Sequence, residues 1–129
     1  MRYPVAVWFE DGVYSAVVPD LPGVITEADS IEELETMVVD ASLGWMECEL
    51  DEGRGIPAPS SIESRFGDEE FNHSTWMLVD INLDQLSDKT ERLNICLPSR
   101  VIRRLDALAA KAGDSRSGFL AKTIYALSA

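Results

Sequence analysis

The chain opens on a crowded apolar and β-branched run, Tyr3-Pro4-Val5-Ala6-Val7-Trp8-Phe9, which predicts a strand. Asp11-Gly12 supplies a hairpin turn, because glycine takes positive φ at no steric cost. Val13 to Val18 is the return strand, and Pro19 ends it, since proline cannot donate to a ladder. The turn cluster Asp20-Leu21-Pro22-Gly23 then leads to a third short strand, Val24-Ile25-Thr26. Two hairpins in succession make an antiparallel meander. The period then changes. Ile31, Leu34, Val38, Ala41, Trp45 and Cys48 recur at spacings of three and four, the apolar stripe of an amphipathic helix. Ser30 and Glu33 form a capping box at its start, and Glu32, Glu33 and Glu35 suit the positive end of the helix dipole. Gly53 is the expected stop. The helix should lie across one face of the sheet.

Residues 53–74 lose the pattern: Pro57, Pro59, Ser60 and Ser61 mark a loop, and Asp68-Glu69-Glu70 reads as solvated surface. Thr75 to Leu83 predicts one more strand, with Val79, Ile81 and Leu83 on one side and Asp80, Asn82 and Asp84 on the other. The polar segment Gln85 to Thr90 reads as a joint. Beyond it, Glu91 to Leu97 alternates again, Leu93, Ile95 and Leu97 against Arg92, Asn94 and Cys96, and Pro98 stops it. Ser99 can cap a helix running to about Ala112, with Val101, Leu105, Leu108 and Ala112 on its inner face and Ile102 beside them. Gly113 fits a left-handed C′ position. A last helix starts at Asp114 or Ser115 and buries Phe119, Leu120, Ile124 and Leu127.

That final unit of about 40 residues is too small to bury a sufficient core alone, and a lone strand leaves both ladder edges free. Two copies pairing their strands antiparallel and interlocking their helices solve both problems. The resulting ribbon has one apolar side on the helices and one polar side outside. A two-stranded ribbon fits the major groove of B-DNA, where arginine suits guanine acceptors and asparagine suits adenine. The start of the last helix, Ser115-Arg116-Ser117, offers backbone N–H groups to a phosphate.

Composition sharpens this picture. The 129 residues are 46% hydrophobic and 26% charged, which is globular composition. The net charge of −12 hides a division. Residues 1–89 hold 4 Lys/Arg against 20 Asp/Glu, a net −16, whereas residues 90–129 hold 7 against 3, a net +4. An acidic body joined to a small basic module is the implied plan, the first repelling phosphate and the second attracting it. No apolar run is long enough for a membrane span, and no signal-peptide core precedes the first acids. Cys48 and Cys96 are too few and too separated for a disulfide framework or a zinc site, so a reducing, cytoplasmic setting is expected.

The run Arg92-Leu93-Asn94-Ile95-Cys96-Leu97-Pro98, followed by a helix, Gly113, Ser115-Arg116-Ser117 and Phe119-Leu120, resembles a ribbon-helix-helix repressor domain over residues 90–129. The resemblance implies base reading by Arg92, Asn94 and Cys96 and phosphate contacts at Ser115, Arg116 and Ser117. Cysteine at the third reading position departs from the polar or basic residue usual there. The stretch from Tyr14 to Gly23, followed by Ala28-Asp29-Ser30-Ile31-Glu32-Glu33-Leu34, resembles the N-terminal domain of HicB-type antitoxins, a partial RNase H-like fold. The implied architecture is α+β. Residues 1–84 form a partial RNase H-like meander-and-helix domain that binds toxin. Residues 85–89 are a linker, and residues 90–129 are the ribbon-helix-helix dimerisation and DNA-binding domain. The implied partners are a small, basic, mRNA-cleaving HicA-type toxin, operator double-stranded DNA, and the chain itself as a dimer or tetramer; no membrane and no cofactor is implied.

Other residues could carry chemistry, but structural roles account for most of them. Glu10, Asp11, Asp20, Glu27 and Asp29 provide carboxylates for a two-metal nuclease, but turns account for Asp11 and Asp20, and Asp29 sits beside the helix start. His73 is the only histidine, lacks a neighbouring ligand, and has no nucleophile motif to serve as base. Cys48, on the helical stripe, reads as core, and Trp8, Trp45 and Trp76 read as core or as partner surface. Arg100, Arg103, Arg104 and Lys111 read as solvated, with at most a supporting attraction for phosphate. The resulting expectation is a non-enzymatic antitoxin with no catalytic or metal-ligating residue. A stand-alone regulator with a ligand-sensing N-terminal domain is the alternative.

Overall fold

A computed structural model describes residues 1–86 and 91–127, so most of the expected joint at 85–89, together with residue 90 and the final two residues of the last module, lies outside the described residues. Strands β1 (Arg2–Glu10), β2 (Val13–Val17) and β3 (Ile25–Ala28) follow one another as antiparallel hairpins. Strand β4 (Thr75–Asp80) returns to the free edge of β1, giving the order β3-β2-β1-β4. The first turn behaves as its residues require. Asp11 and Gly12 both have positive φ, 53° and 78°, between the paired Glu10 and Val13, which is a type I′ turn. The third strand begins later than its β-branched residues suggest. Val24 is held in the preceding turn, donating to the Leu21 carbonyl at 3.0 Å and accepting from Val18 N–H at 3.1 Å.

Helix α1 (Ile31–Asp51) starts where expected, with the Ser30 hydroxyl accepting from Glu33 N–H at 3.1 Å. Its buried ridge is Leu34, Val38, Ser42 and Met46. This corrects the stripe read from hydropathy. Ile31 and Cys48 are exposed, and Ala41 and Trp45 are half-buried. These four residues, each four apart, follow one row of the helix surface. Among the described residues Ser42 Oγ has no hydrogen-bond partner. The core under α1 gathers Tyr3, Val5, Ala16, Val18, Leu21 and Val79. The ladder of β4 ends at Asp80, opposite Arg2, earlier than the predicted Leu83. The inward alternation continues nonetheless: Val79, Ile81 and Leu83 are 1%, 0% and 3% exposed. Leu86, beyond residue 84, joins the same core through a 3-10 turn at Leu83–Gln85.

The irregular segment between α1 and β4 is pinned at several points. Tyr3 donates its hydroxyl to the Pro57 carbonyl at 2.6 Å, and Trp8 Nε1–H donates to the Asn72 carbonyl at 2.9 Å. Phe71 packs between Trp8 and Trp76, with ring centroids 6.3 and 5.6 Å away. Both tryptophans are half-buried.

Helix α2 (Ser99–Ala112) and helix α3 (Arg116–Ala126) are joined through Gly113, at φ 70°. Ser99 is the first helical residue and not the cap; Pro98 occupies that place without a side-chain bond. On α2, Leu105 and Ala109 are buried and Ile102 is half-buried, while Val101 and Leu108, expected inside, are exposed. On α3, Phe119 and Leu120 are half-buried and Ile124 is exposed. Two helices in one copy cover only the strips that face each other, which leaves the rest of each apolar face open. The end of α3 returns to the first body. Tyr125 packs against the core there, and its carbonyl accepts from Ile56 N–H at 2.7 Å. Glycine is required beside it, because a Cβ on Gly55 would lie 2.5 Å from the Leu127 carbonyl group.

Candidate nucleic-acid interface and acidic body

Among the described residues the segment Glu91–Pro98 has no ladder partner and no assigned secondary structure, and every residue in it is exposed. Leu93, Ile95 and Leu97 are 79%, 60% and 36% exposed despite being its apolar row. They line a groove of about 490 Å³ with Ile102 and Leu105 of α2 and Leu120 of α3. An open apolar floor beside an exposed apolar row is incomplete packing. Arg92 and Cys96 lie on the exposed segment outside the groove lining, whereas Asn94, expected on the opposite side, also borders the groove.

The start of α3 brings Ser115, Arg116 and Ser117 together on the surface. Ser115 caps the helix, its hydroxyl accepting from Gly118 N–H at 3.1 Å, and lies 3.5 Å from the Ser117 hydroxyl. The Arg116 guanidinium is already engaged with Asp106 of α2 through two bonds of 2.8 and 2.9 Å. The bond from Arg116 holds the Asp106 carboxyl below its usual range. A phosphate arriving here would compete with that carboxylate for Arg116, so the backbone and hydroxyl groups at Ser115 and Ser117 are the more available donors.

The acidic body is arranged differently. Asp20, whose side chain is 8% exposed, accepts from Ser60 N–H at 2.8 Å and Ser60 Oγ–H at 2.9 Å through one oxygen. Its other oxygen accepts from Arg65 at 2.7 Å. Asp20 therefore ties the Pro19–Gly23 turn to the Pro57–Arg65 loop, a long-range anchor that its turn-like sequence did not signal. Among the described residues, no three His, Cys, Asp or Glu side chains are arranged to hold a metal ion. His73 is exposed, in the left-handed turn before β4. Among the described residues, no helix is long and apolar enough to cross a membrane.

Residues 3–124 match the family described as HicB_like antitoxin of bacterial toxin-antitoxin system. The chain belongs to the HicB-like antitoxins. The crystal structure of the Burkholderia pseudomallei antitoxin HicB superposes with a TM-score of 0.79 at 34% identity, covering 95% of each chain. An uncharacterized 14.9 kDa protein of Haemophilus phage HP1 is 27% identical over 95% of this chain and 93% of its own length. A chain from a HicA3 and HicB3 toxin-antitoxin complex matches 64% of this chain and 99% of itself, at 19% identity and TM-score 0.56, a likeness of fold. The mixed α/β architecture, an antiparallel sheet with three helices, is thus that of HicB antitoxins.

Proposed function

We propose that this antitoxin acts in two ways through two units. Residues 1–84, a partial RNase H-like domain, bind and mask a small, basic, mRNA-cleaving HicA-type toxin. Residues 90–129, joined by a linker at 85–89, pair with a second copy as a ribbon-helix-helix and repress their operon from operator DNA. Masking is stoichiometric, without turnover, and takes place in the cytoplasm beside the DNA. The observation that carries the reading is the exposed apolar row Leu93, Ile95 and Leu97 over its groove, in the basic part of a chain whose other part is strongly acidic. A second copy laid antiparallel along that row covers it and completes the missing ladder, giving a dimer that can assemble further into a tetramer. Arg92, Asn94 and Cys96 then form the outward stripe that reads bases, and Ser115, Arg116 and Ser117 meet the backbone phosphates. The net −16 of the body favours capture of a basic partner, chiefly through on-rate and specificity.

Co-expression with the adjacent open reading frame tests the masking: a stable complex that suppresses RNA cleavage is expected, and two proteins that purify apart would remove the toxin partner. For DNA, Arg92→Ala and Asn94→Ala should each weaken operator binding by about 1–3 kcal/mol and relax specificity at the bases touched. Ser117→Ala should matter less. Wild-type affinity in both ribbon variants would show that the reading face lies elsewhere.

A further inference from the structure

Helix α1 leaves one corner of its sheet face uncovered. Burial along β1 falls from Tyr3 and Val5, both 0% exposed, to Val7 at 7% and Phe9 at 62% near the hairpin tip. There the sheet and the first turn of α1 enclose a groove of about 330 Å³, lined by Val7, Phe9, Tyr14, Ile31, Thr75 and Met77. All five sheet residues project from the face that carries α1, as the register shows: Phe9 opposes Tyr14, Val7 opposes Thr75, and Met77 opposes Val5. Phe9 and Tyr14 stack with centroids 4.4 Å apart, so the groove has a firm aromatic wall. The charged residues next to Phe9 and Ile31 in sequence have one sign. Glu10 and Asp11 follow Phe9 at the hairpin tip, Asp29, Glu32 and Glu33 flank Ile31, and all five are exposed. No lysine or arginine occurs between Tyr3 and Gly53. The nearest downstream cations are engaged elsewhere, Arg54 with Glu49 and Arg65 with Asp20.

We infer that this groove is where the acidic body receives its protein partner, a basic surface that inserts an apolar side chain flanked by lysine or arginine. The inference rests on the toxin-masking reading above. An apolar floor supplies the desolvated centre of an interface, and the carboxylate rim excludes nucleic acid while selecting a cationic protein. A second copy of this chain is disfavoured, because it would set one carboxylate rim against another. A groove of this volume holds a side-chain anchor.

The test uses the full chain and the toxin encoded beside it, with affinity measured at low and high salt. Phe9→Ser should weaken the complex by ~10-fold or more. Ile31→Lys, which places a like charge against a basic partner, should weaken it by ~100-fold. Ile25→Ser serves as the control, because Ile25 is 67% exposed but pairs with Val17 on the opposite face. Unchanged thermal unfolding of each variant shows that the fold is intact; Phe9, being exposed, keeps the test alive if Ile31→Lys unfolds. Wild-type binding in both groove variants, or a loss confined to Ile25→Ser, overturns the groove while leaving the toxin reading in place. Failure of the unmodified chain to bind the toxin overturns both.

Discussion

The first 86 residues and the last 37 described ones solve the problem of folding in opposite ways. The acidic body meets its own needs: its strands find partners, its helix covers a sheet, and its irregular loop is nailed down by Tyr3, Asp20 and Trp8. The basic tail does not. Among the described residues its segment Glu91–Pro98 has no ladder partner, and its apolar row lines an open groove. A unit that stores its stability internally can present a fixed surface. A unit that leaves its apolar row uncovered has surface that a second molecule could bury, and under the proposed pairing its fold and its function would share one equilibrium.

The largest effect should come from the tail. Ile95→Asp puts a carboxylate into the row expected to pair, and self-association should fall by ~100-fold or more. Sedimentation would then show a monomer while the melting of the body stays put; an undiminished dimer would mean that the copies meet elsewhere. Next, Asp20→Ala should cost the body about 2–3 kcal/mol, because Arg65 and the Ser60 amide lose a buried acceptor. Denaturant titration measures that cost, and the dimer should survive the change. Gly55→Ala sharpens the contrast from the boundary. The added Cβ meets the backbone of Leu127, so the end of α3 must leave the body, at about 1–2 kcal/mol. Faster proteolysis after residue 86, with the sheet still protected from hydrogen exchange, is the expected sign.

The smallest effect is a pH limb. The Tyr3 phenol is pushed up to about 12, by burial first and by the Asp20 charge second. Folding favours its neutral form, so that contribution is complete below about pH 10 and is lost as pH climbs from 10 toward 12. Tyr3→Phe should cost about 1 kcal/mol at neutral pH, through the lost bond to Pro57, and should flatten the alkaline fall. An unchanged fall would assign it to another group.

Much of the fold was legible because it is local. Asp11-Gly12 between two alternating strands favours a I′ turn, Ser30 caps with Glu33, and Gly113 closes α2 in the left-handed region. The buried ridge of α1 lies part of a turn from the hydropathy stripe, since hydropathy ranks Cys48 above Ser42 while the sheet surface selects the row that fits. The groove at Phe9, Tyr14 and Ile31 had no sequence signal: it exists because three distant segments meet there.

The sequence by itself determined the elements, their caps and turns, the division of charge, and the apolar alternation of Leu93, Ile95 and Leu97. Those follow from backbone preference and side-chain period, which need only near neighbours. The tertiary structure alone decided that Asp20 anchors a loop, that α3 returns to Gly55 and Ile56, and that one corner of the sheet stays uncovered. Such features depend on which distant residues the packed chain brings within bonding range, and that is a property of the whole fold.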